Sequence, residues 1–164
     1  MAIENRLDEK EMAMELEVLK SELALPKNTS LEDIEKALDE VSNLKIIQTL
    51  SPTSLSEYAV LFGCYSIDLT MYENRIKSFV KWCEGNIQYI IGRNLANTPY
   101  SFFSEKASYI RSNEEHAIAL DKARNASEAK LEYIKFLSQK MAFLSDRVQS
   151  LAEIKNREQK RYAN

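Results

Sequence analysis

Glycine and proline are scarce in this chain of 164 residues, which contains three of each, and neither occurs after Pro99. Both residues weaken or break helices, so their absence allows residues 100–164 to form long helices. A single helix of that length would extend about 95 Å. The alternation of apolar and polar residues that is typical of strands is rare. We therefore predict an all-α fold, an elongated helical bundle built on a long, antiparallel, coiled-coil-like hairpin.

Histidine and cysteine are nearly missing too, which removes most arrangements of catalytic and metal-binding residues. His116 is the only histidine, and Cys64 and Cys83 have no ligand partners at zinc spacing. The chain contains no phosphate-binding glycine loop, no HExxH motif and no nucleophile elbow. The sequence therefore predicts a non-enzymatic protein with no metal and no other cofactor.

Long hydrophobic runs are absent as well. No apolar run approaches the roughly 18 residues that a membrane-spanning helix needs, and the N-terminus lacks the basic and apolar segments of a signal peptide. The two cysteines are isolated from each other, which is typical of reduced thiols. We expect no membrane partner and a cytoplasmic location.

Acidic and basic side chains are distributed unevenly along the chain. Residues 1–41 contain 12 acidic and 5 basic side chains, whereas residues 42–164 contain 13 and 17. The acidic part could bind a basic protein partner and the remainder a polyanion, although solvated helix faces would give the same pattern. We divide the chain into an acidic N-terminal helix, 1–28, and a helical hairpin or bundle domain, 29–164.

Proline, glycine and capping residues predict four helices. A capping box at Thr29 and Ser30 precedes the second helix. We expect Gly92 to end the third helix, Thr98 to cap the fourth and Pro99 to be its first residue. The predicted helices cover residues 3–23, 31–50, 53–91 and 99–164, the last with a break at Ser112 and Asn113.

The fourth helix has its most regular heptad pattern near its C-terminus, where apolar residues are spaced alternately by three and four. The predicted third helix is much shorter than the fourth, so this stretch must pack either on the second helix or on another copy of the chain. We expect segment 134–164 to hold a homo-oligomer together. The predicted oligomer seam consists of Ile134, Leu137, Met141, Leu144, Val148 and Leu151.

Basic and aromatic residues alternate within residues 72–93. This mixture is typical of proteins that bind single-stranded nucleic acid, in which cations contact phosphates and rings stack on bases. The same rings would belong to the core if the apolar stripe of the third helix is buried. A second basic group near the C-terminus would either contact phosphates or stabilise the helix end. The candidate nucleic-acid contacts are Arg75, Lys77, Lys81, Trp82, Arg93, Lys155, Arg157, Lys160 and Arg161.

Two C-terminal segments, AKLEYI at 129–134 and AEIKNR at 152–157, resemble the recombination mediators of T4-type phages. That family has a lysine–apolar–glutamate–tyrosine–apolar helix and an Ile-Lys-Asn near its C-terminus. The Arg-Gly-Phe-like turn that precedes the latter is replaced here by residues 151–153. The resemblance implies a small helical oligomer that binds single-stranded DNA. It also implies a role in loading a recombinase onto strands covered by a single-strand-binding protein.

Two functions stay open at the level of sequence. The first is a non-enzymatic, oligomeric accessory protein that binds single-stranded nucleic acid and aids the assembly of a recombination or replication complex. The second is a structural or scaffolding coiled-coil adaptor between proteins, without a nucleic-acid role.

Overall fold

The computed structural model describes residues 14–19 and 31–162. Helices are the only regular elements in these two ranges, and the predicted all-α helical bundle is confirmed. Most of the predicted first helix and the capping box before the second lie outside the described residues. The helices are α1, described for residues 14–19, α2 (Leu31–Ser42), α3 (Leu44–Thr49), α4 (Pro52–Asn94), a 3-10 turn (Leu95–Asn97), α5 (Phe103–Asn113) and α6 (Glu115–Tyr162).

The predicted second helix is divided in two at Asn43. The backbone of Asn43 is extended, and its side chain accepts a hydrogen bond from the backbone N–H of Lys45 at 3.0 Å. Asparagine is a favourable N-cap because its side-chain oxygen satisfies a backbone donor in the first turn. The residue therefore ends α2 and begins α3.

The predicted start of the fourth helix is wrong. Residues 98–102 are irregular, and α5 begins at Phe103 without a side-chain cap. Thr98 donates its hydroxyl to the carbonyl oxygen of Leu95 at 3.1 Å, so it bonds backward to the 3-10 turn instead of capping a helix. Gly92 does not end the third helix either, because α4 continues to Asn94.

A break in the fourth helix does occur, one residue after the predicted position. Glu114 has an extended backbone, and its N–H bonds to the carbonyl oxygen of Ile110 at 2.9 Å. The 11 residues of α5 are thereby separated from α6, and α4 and α6 become similar in length, at 43 and 48 residues.

The described residues form two compact units. The first unit comprises residues 14–19 and 74–132, and the second comprises residues 31–73 and 133–162. The core of the first unit consists of Leu16, Phe79, Cys83, Ile87, Ile90, Ile91, Ile110, Ala117 and Leu120.

The long apolar stripe of α4 is buried through most of its length. Tyr58 and Leu61 are half-buried, and every later member is buried. Both cysteines are free thiols: Cys83 belongs to the stripe and is buried, whereas Cys64 lies off it and is exposed. The buried members are Tyr65, Leu69, Tyr72, Ile76, Phe79, Cys83, Ile87 and Ile90.

Hydroxyl groups join α4 and α6 in the second unit. Ser66 donates to the carbonyl oxygen of Ser138 at 3.0 Å, and Ser138 donates to that of Ser66 at 3.2 Å. Thr70 places its hydroxyl 2.9 Å from that of Ser138. Ser145 donates to the carbonyl oxygen of Ala59 at 2.7 Å. Residue numbers fall along α4 as they rise along α6, so the two helices are antiparallel in this unit.

The C-terminal stretch has a partner within the chain that the sequence did not predict. We expected the second helix or another copy to cover it, but its Ser145 contacts the first half of α4. The prediction assumed a fourth helix much longer than the third, whereas α6 and α4 have similar lengths of 48 and 43 residues. In the predicted seam, Ile134, Met141 and Val148 are buried, and Leu137, Leu144 and Leu151 are half-buried.

Candidate nucleic-acid interface

The candidate residues of α4 divide between two sides of the helix. Successive helical residues are rotated by about 100°, so Arg75, Trp82 and Arg93 lie within about 20° of one another. Lys77 and Lys81 lie about 100–160° away from them. The four cations are exposed and Trp82 is half-buried. We call the side that carries Arg75, Trp82 and Arg93 the α4 basic face.

A cavity lies beside Trp82 in the first unit. It has a volume of about 450 Å³, and its apolar wall consists of Leu19, Phe79 and Trp82. The two aromatic rings are stacked, with centroids 6.1 Å apart and an angle of 13° between their planes. Arg75 also lines the cavity. The α4 basic face therefore combines a cation with an apolar recess of the size typical of small-ligand sites.

Glu15 of α1 also lines this cavity. Its Oε2 atom is buried and accepts no hydrogen bond from the described part of the chain. A buried acceptor that lacks a partner costs about 1–3 kcal/mol, and more when it is charged. Glu15 thus contributes a carboxylate to the cavity lining, and one of its oxygens lacks a hydrogen-bond donor among the described residues.

Two arginines of the first unit are engaged by Glu84. Arg111 lies 2.8 Å from one carboxylate oxygen and Arg124 lies 2.5 Å from the other. Gln88 donates to the same carboxylate at 2.8 Å. The hydrogen bond from Gln88, and then those from Arg124 and the charge of Arg111, lower the pKa of Glu84. Both arginines are thus at least partly neutralised within the protein.

Lys155, a predicted phosphate contact, is used inside the second unit. Its ammonium group donates to the carbonyl oxygens of Ile47, Gln48 and Leu50 at 2.8, 2.9 and 2.9 Å. These carbonyls lie at the C-terminal end of α3, where cations stabilise the helix dipole. Lys155 therefore caps this helix end, and its ammonium group donates all three of its hydrogen bonds within the second unit.

The other C-terminal cations are at the surface of α6. Arg157 lies 3.6 Å from Glu153, and both side chains are exposed. Lys160 and Arg161 are exposed as well. An exposed ion pair of this kind contributes little to stability, so these cations stay accessible to a partner.

Exposed aromatic residues after the 3-10 turn were not identified from the sequence. Tyr100, Phe102 and Phe103 are 44%, 70% and 62% exposed, and the ring of Tyr100 lies 5.5 Å from that of Tyr109. They follow Pro99 and belong to no periodic stripe, so periodicity could not reveal them. The high density of aromatic residues at positions 100–103 could have done so.

A second exposed stripe, on α6, was also missed. Tyr133, Phe136, Phe143 and Ile154 are 51–64% exposed, and the guanidinium of Arg147 lies 5.1 Å from the ring centre of Phe143. Together with Lys140, Arg147 and Ser150, they repeat the three-and-four spacing one residue before the predicted seam. We call this set the outer stripe of α6. The predicted seam, one residue later in the sequence, has a more regular heptad pattern, and the outer stripe was therefore not predicted from the sequence.

The described residues contain neither a candidate metal site nor a candidate membrane-spanning helix. No group of three or more His, Cys, Asp or Glu side chains in these ranges could hold a metal ion. Within the same residues, no helix is both long enough and apolar enough to cross a membrane. His116 is half-buried.

No family model, curated protein or solved structure matches the chain. The similarity of two C-terminal segments to the T4-type recombination mediators stays a prediction.

Proposed function

We propose that this chain is a non-enzymatic accessory protein that binds single-stranded nucleic acid through the α4 basic face. The observation that supports this most strongly is the shared side of Arg75, Trp82 and Arg93, with an aromatic-walled cavity beside Trp82. The proposal includes a role in the assembly of recombination or replication complexes, in which the protein holds a strand for another protein.

The length of the α4 basic face suits a short single strand. Arg75 and Arg93 are separated by about 27 Å along the helix axis. That distance spans about eight nucleotides at the ~3.4 Å rise of a stacked strand, and fewer if the strand is extended. Single-strand sites commonly cover about 4–16 nucleotides. The exposed rings of Tyr100, Phe102 and Phe103 follow Arg93 in the chain and would offer further stacking surfaces.

Cations and rings would have separate tasks in this complex. Arg75 and Arg93 would bind phosphates and release counterions, which makes the affinity dependent on salt. Trp82 would stack on a base, a contact worth about 1–3 kcal/mol. Lys77 and Lys81 lie away from this face and would add only long-range attraction.

The test measures binding of a labelled single-stranded 20-mer by fluorescence anisotropy. With two phosphate contacts, we expect the affinity to fall about sevenfold between 50 and 200 mM salt. Arg75→Glu should weaken binding markedly more than its matched control Lys81→Glu, which changes the charge equally on another side of α4. Trp82 is the only tryptophan of the chain, so its fluorescence should be quenched in the complex. A lack of binding at 50 mM salt would refute the proposal.

A second candidate function, that of a self-associating scaffold, is favoured by the outer stripe of α6. Its three rings each have about 150–250 Å² of surface, so they expose about 300–450 Å² together. This is as large as the largest apolar patch on a typical monomer and about half of one side of a standard interface. Its heptad spacing suits the same helix of a second copy.

Light scattering tests the scaffold independently of nucleic acid. Self-association predicts a mass well above 18.9 kDa at micromolar concentration. Phe136→Glu combined with Phe143→Glu should reduce this mass to that of a monomer, whereas Lys160→Glu should not. A monomeric wild-type protein would exclude the second copy as the partner of this stripe.

A further inference from the structure

We infer that the cavity beside Trp82 binds one base of the strand and that Glu15 selects a base with an exocyclic amino group. This inference rests on the proposed function and adds a chemical preference to it. It concerns residues of the first unit only.

The shape and lining of the cavity suit a flat, apolar ring. Leu19, Phe79 and Trp82 form its apolar wall, and the planes of the two aromatic rings are nearly parallel. A base that enters could stack on or beside these rings, and such stacking tolerates any base. The apolar wall alone therefore explains affinity for a base but no preference among bases.

Glu15 supplies the preference. An ionised carboxylate only accepts hydrogen bonds, and the buried Oε2 of Glu15 accepts none from the described residues. Its charge also disfavours a phosphate in the cavity, so a base edge is the part of a nucleotide that fits. Cytosine, adenine and guanine each carry an exocyclic amino group, whereas thymine has an oxygen where cytosine has its amino group. Glutamate and aspartate accept from the cytosine amino group in known protein–DNA contacts.

Arg75 completes the recognition of a nucleotide. It lines the same cavity and is exposed, so its guanidinium can contact the phosphate attached to the inserted base. Ser78 also lines the cavity, but its hydroxyl already donates to the carbonyl oxygen of Asn74 at 3.1 Å. One negative and one positive side chain would thus face the amino group and the phosphate of one nucleotide.

The test compares two pyrimidine oligomers of equal length and charge. With the full-length protein at pH 7.5 and 100 mM salt, we expect (dC)₁₀ to bind about tenfold more tightly than (dT)₁₀. An oligomer of N4,N4-dimethylcytosine has no amino hydrogen and should bind about as weakly as (dT)₁₀. Glu15→Gln, whose amide can donate to the thymine oxygen, should reduce the ratio to about one or below it. Glu17→Gln, on the same helix, makes the same change in charge and should leave the ratio unchanged.

The outcomes distinguish this inference from the proposed function. Equal binding of (dC)₁₀ and (dT)₁₀ by the wild-type protein would overturn the base preference and leave single-strand binding intact. Retained preference for dimethylcytosine, or a ratio unaffected by Glu15→Gln, would overturn the role of Glu15. Binding to none of the oligomers would overturn the proposed function and this inference together. The dimethylcytosine comparison uses the wild-type protein, so it does not depend on whether a variant folds.

Discussion

Lys155 and Leu50 are joined across the second unit by a hydrogen bond of 2.9 Å from the ammonium group of the former to the carbonyl oxygen of the latter. The same ammonium group donates to Ile47 and Gln48, so it caps the C-terminal end of α3. None of the residues of α3 is buried. A helix that buries so little depends strongly on a polar contact of this kind for its position.

Replacing Lys155 by methionine should therefore destabilise the protein. The change keeps most of the aliphatic stem but removes the three donors, and we expect a loss of about 1–3 kcal/mol in the free energy of unfolding. The melting temperature should fall by about 2–4 °C for each kcal/mol, measured by circular dichroism. Lys160→Met, at an exposed position of the same helix, should change the stability by less than about 0.5 kcal/mol.

A different result would support the prediction from the sequence that Lys155 contacts a phosphate. If Lys155→Met weakened oligonucleotide binding while the melting temperature stayed the same, Lys155 would be a phosphate contact and not a cap.

Glu84 should make the stability dependent on pH in the acidic range. Its pKa in the folded protein is lowered below the ordinary value of 4.5, first by Gln88 and then by Arg124 and Arg111. A lowered folded pKa adds stability above the unfolded value, and this contribution is lost as the pH falls through the folded pKa. The side chain is 38% exposed, so we expect Glu84→Gln to cost only about 0.5–1 kcal/mol at pH 7.

Urea denaturation of both proteins at several pH values checks this prediction. The difference between wild type and Glu84→Gln should shrink as the pH falls below 4.5 and should also decrease in 1 M salt. Glu132→Gln removes an exposed carboxylate of α6 and serves as the control for net charge. A difference that persists unchanged at pH 3 would show that packing, not charge, is responsible.

Tyr58 and Glu40 should give a second pH dependence, in the alkaline range. Tyr58 donates its hydroxyl to Oε2 of Glu40, which joins α4 to α2. This bond, followed by burial and the charges of Glu40 and Glu57, raises the pKa of Tyr58 from 10 to about 12. A raised folded pKa gives stability that is fully present below the unfolded value and is lost as the pH rises through the folded value.

Tyr58→Phe should thus lower the free energy of unfolding by about 1 kcal/mol at pH 8. The difference from wild type should stay constant up to about pH 10 and decrease between pH 10 and 12. The exposed Tyr133 provides the control, because Tyr133→Phe should show no such trend. Absorbance of tyrosinate should also lose its latest-titrating component in the Tyr58 variant, and if it does not, the assignment fails.

Two glycines of α4 should respond differently to alanine. A Cβ at Gly85 would meet no atom within 4 Å, so Gly85→Ala should add about 0.5–1 kcal/mol through helix propensity. A Cβ at Gly63 would lie 3.3 Å from Oγ of Ser145, which is held by its bond to Ala59. Gly63→Ala should therefore increase the free energy of unfolding by less than Gly85→Ala does, or should decrease it. Thermal denaturation measures both, and equal gains would mean that Ser145 can move.

Helix content and the main apolar face were determined by the sequence itself. The stripe that includes Leu69, Ile76 and Ile87 is visible because helical period and the scarcity of breakers are local properties. Local sequence signals gave a wrong prediction where one side chain has two possible hydrogen-bond partners. Thr98 could cap a following helix or bond backward to Leu95, and only the folded chain decides between them.

Tertiary structure decided which residues meet, and therefore what the candidate site is. Lys155 lies 105 residues from Leu50 and Glu15 lies 60 residues from Arg75, so no local pattern can pair them. In the second unit, the ammonium group of Lys155 on α6 caps the C-terminal end of α3. The physical reason is that side-chain pairing depends on register and on helix ends, whereas periodicity specifies only which face of each helix is apolar.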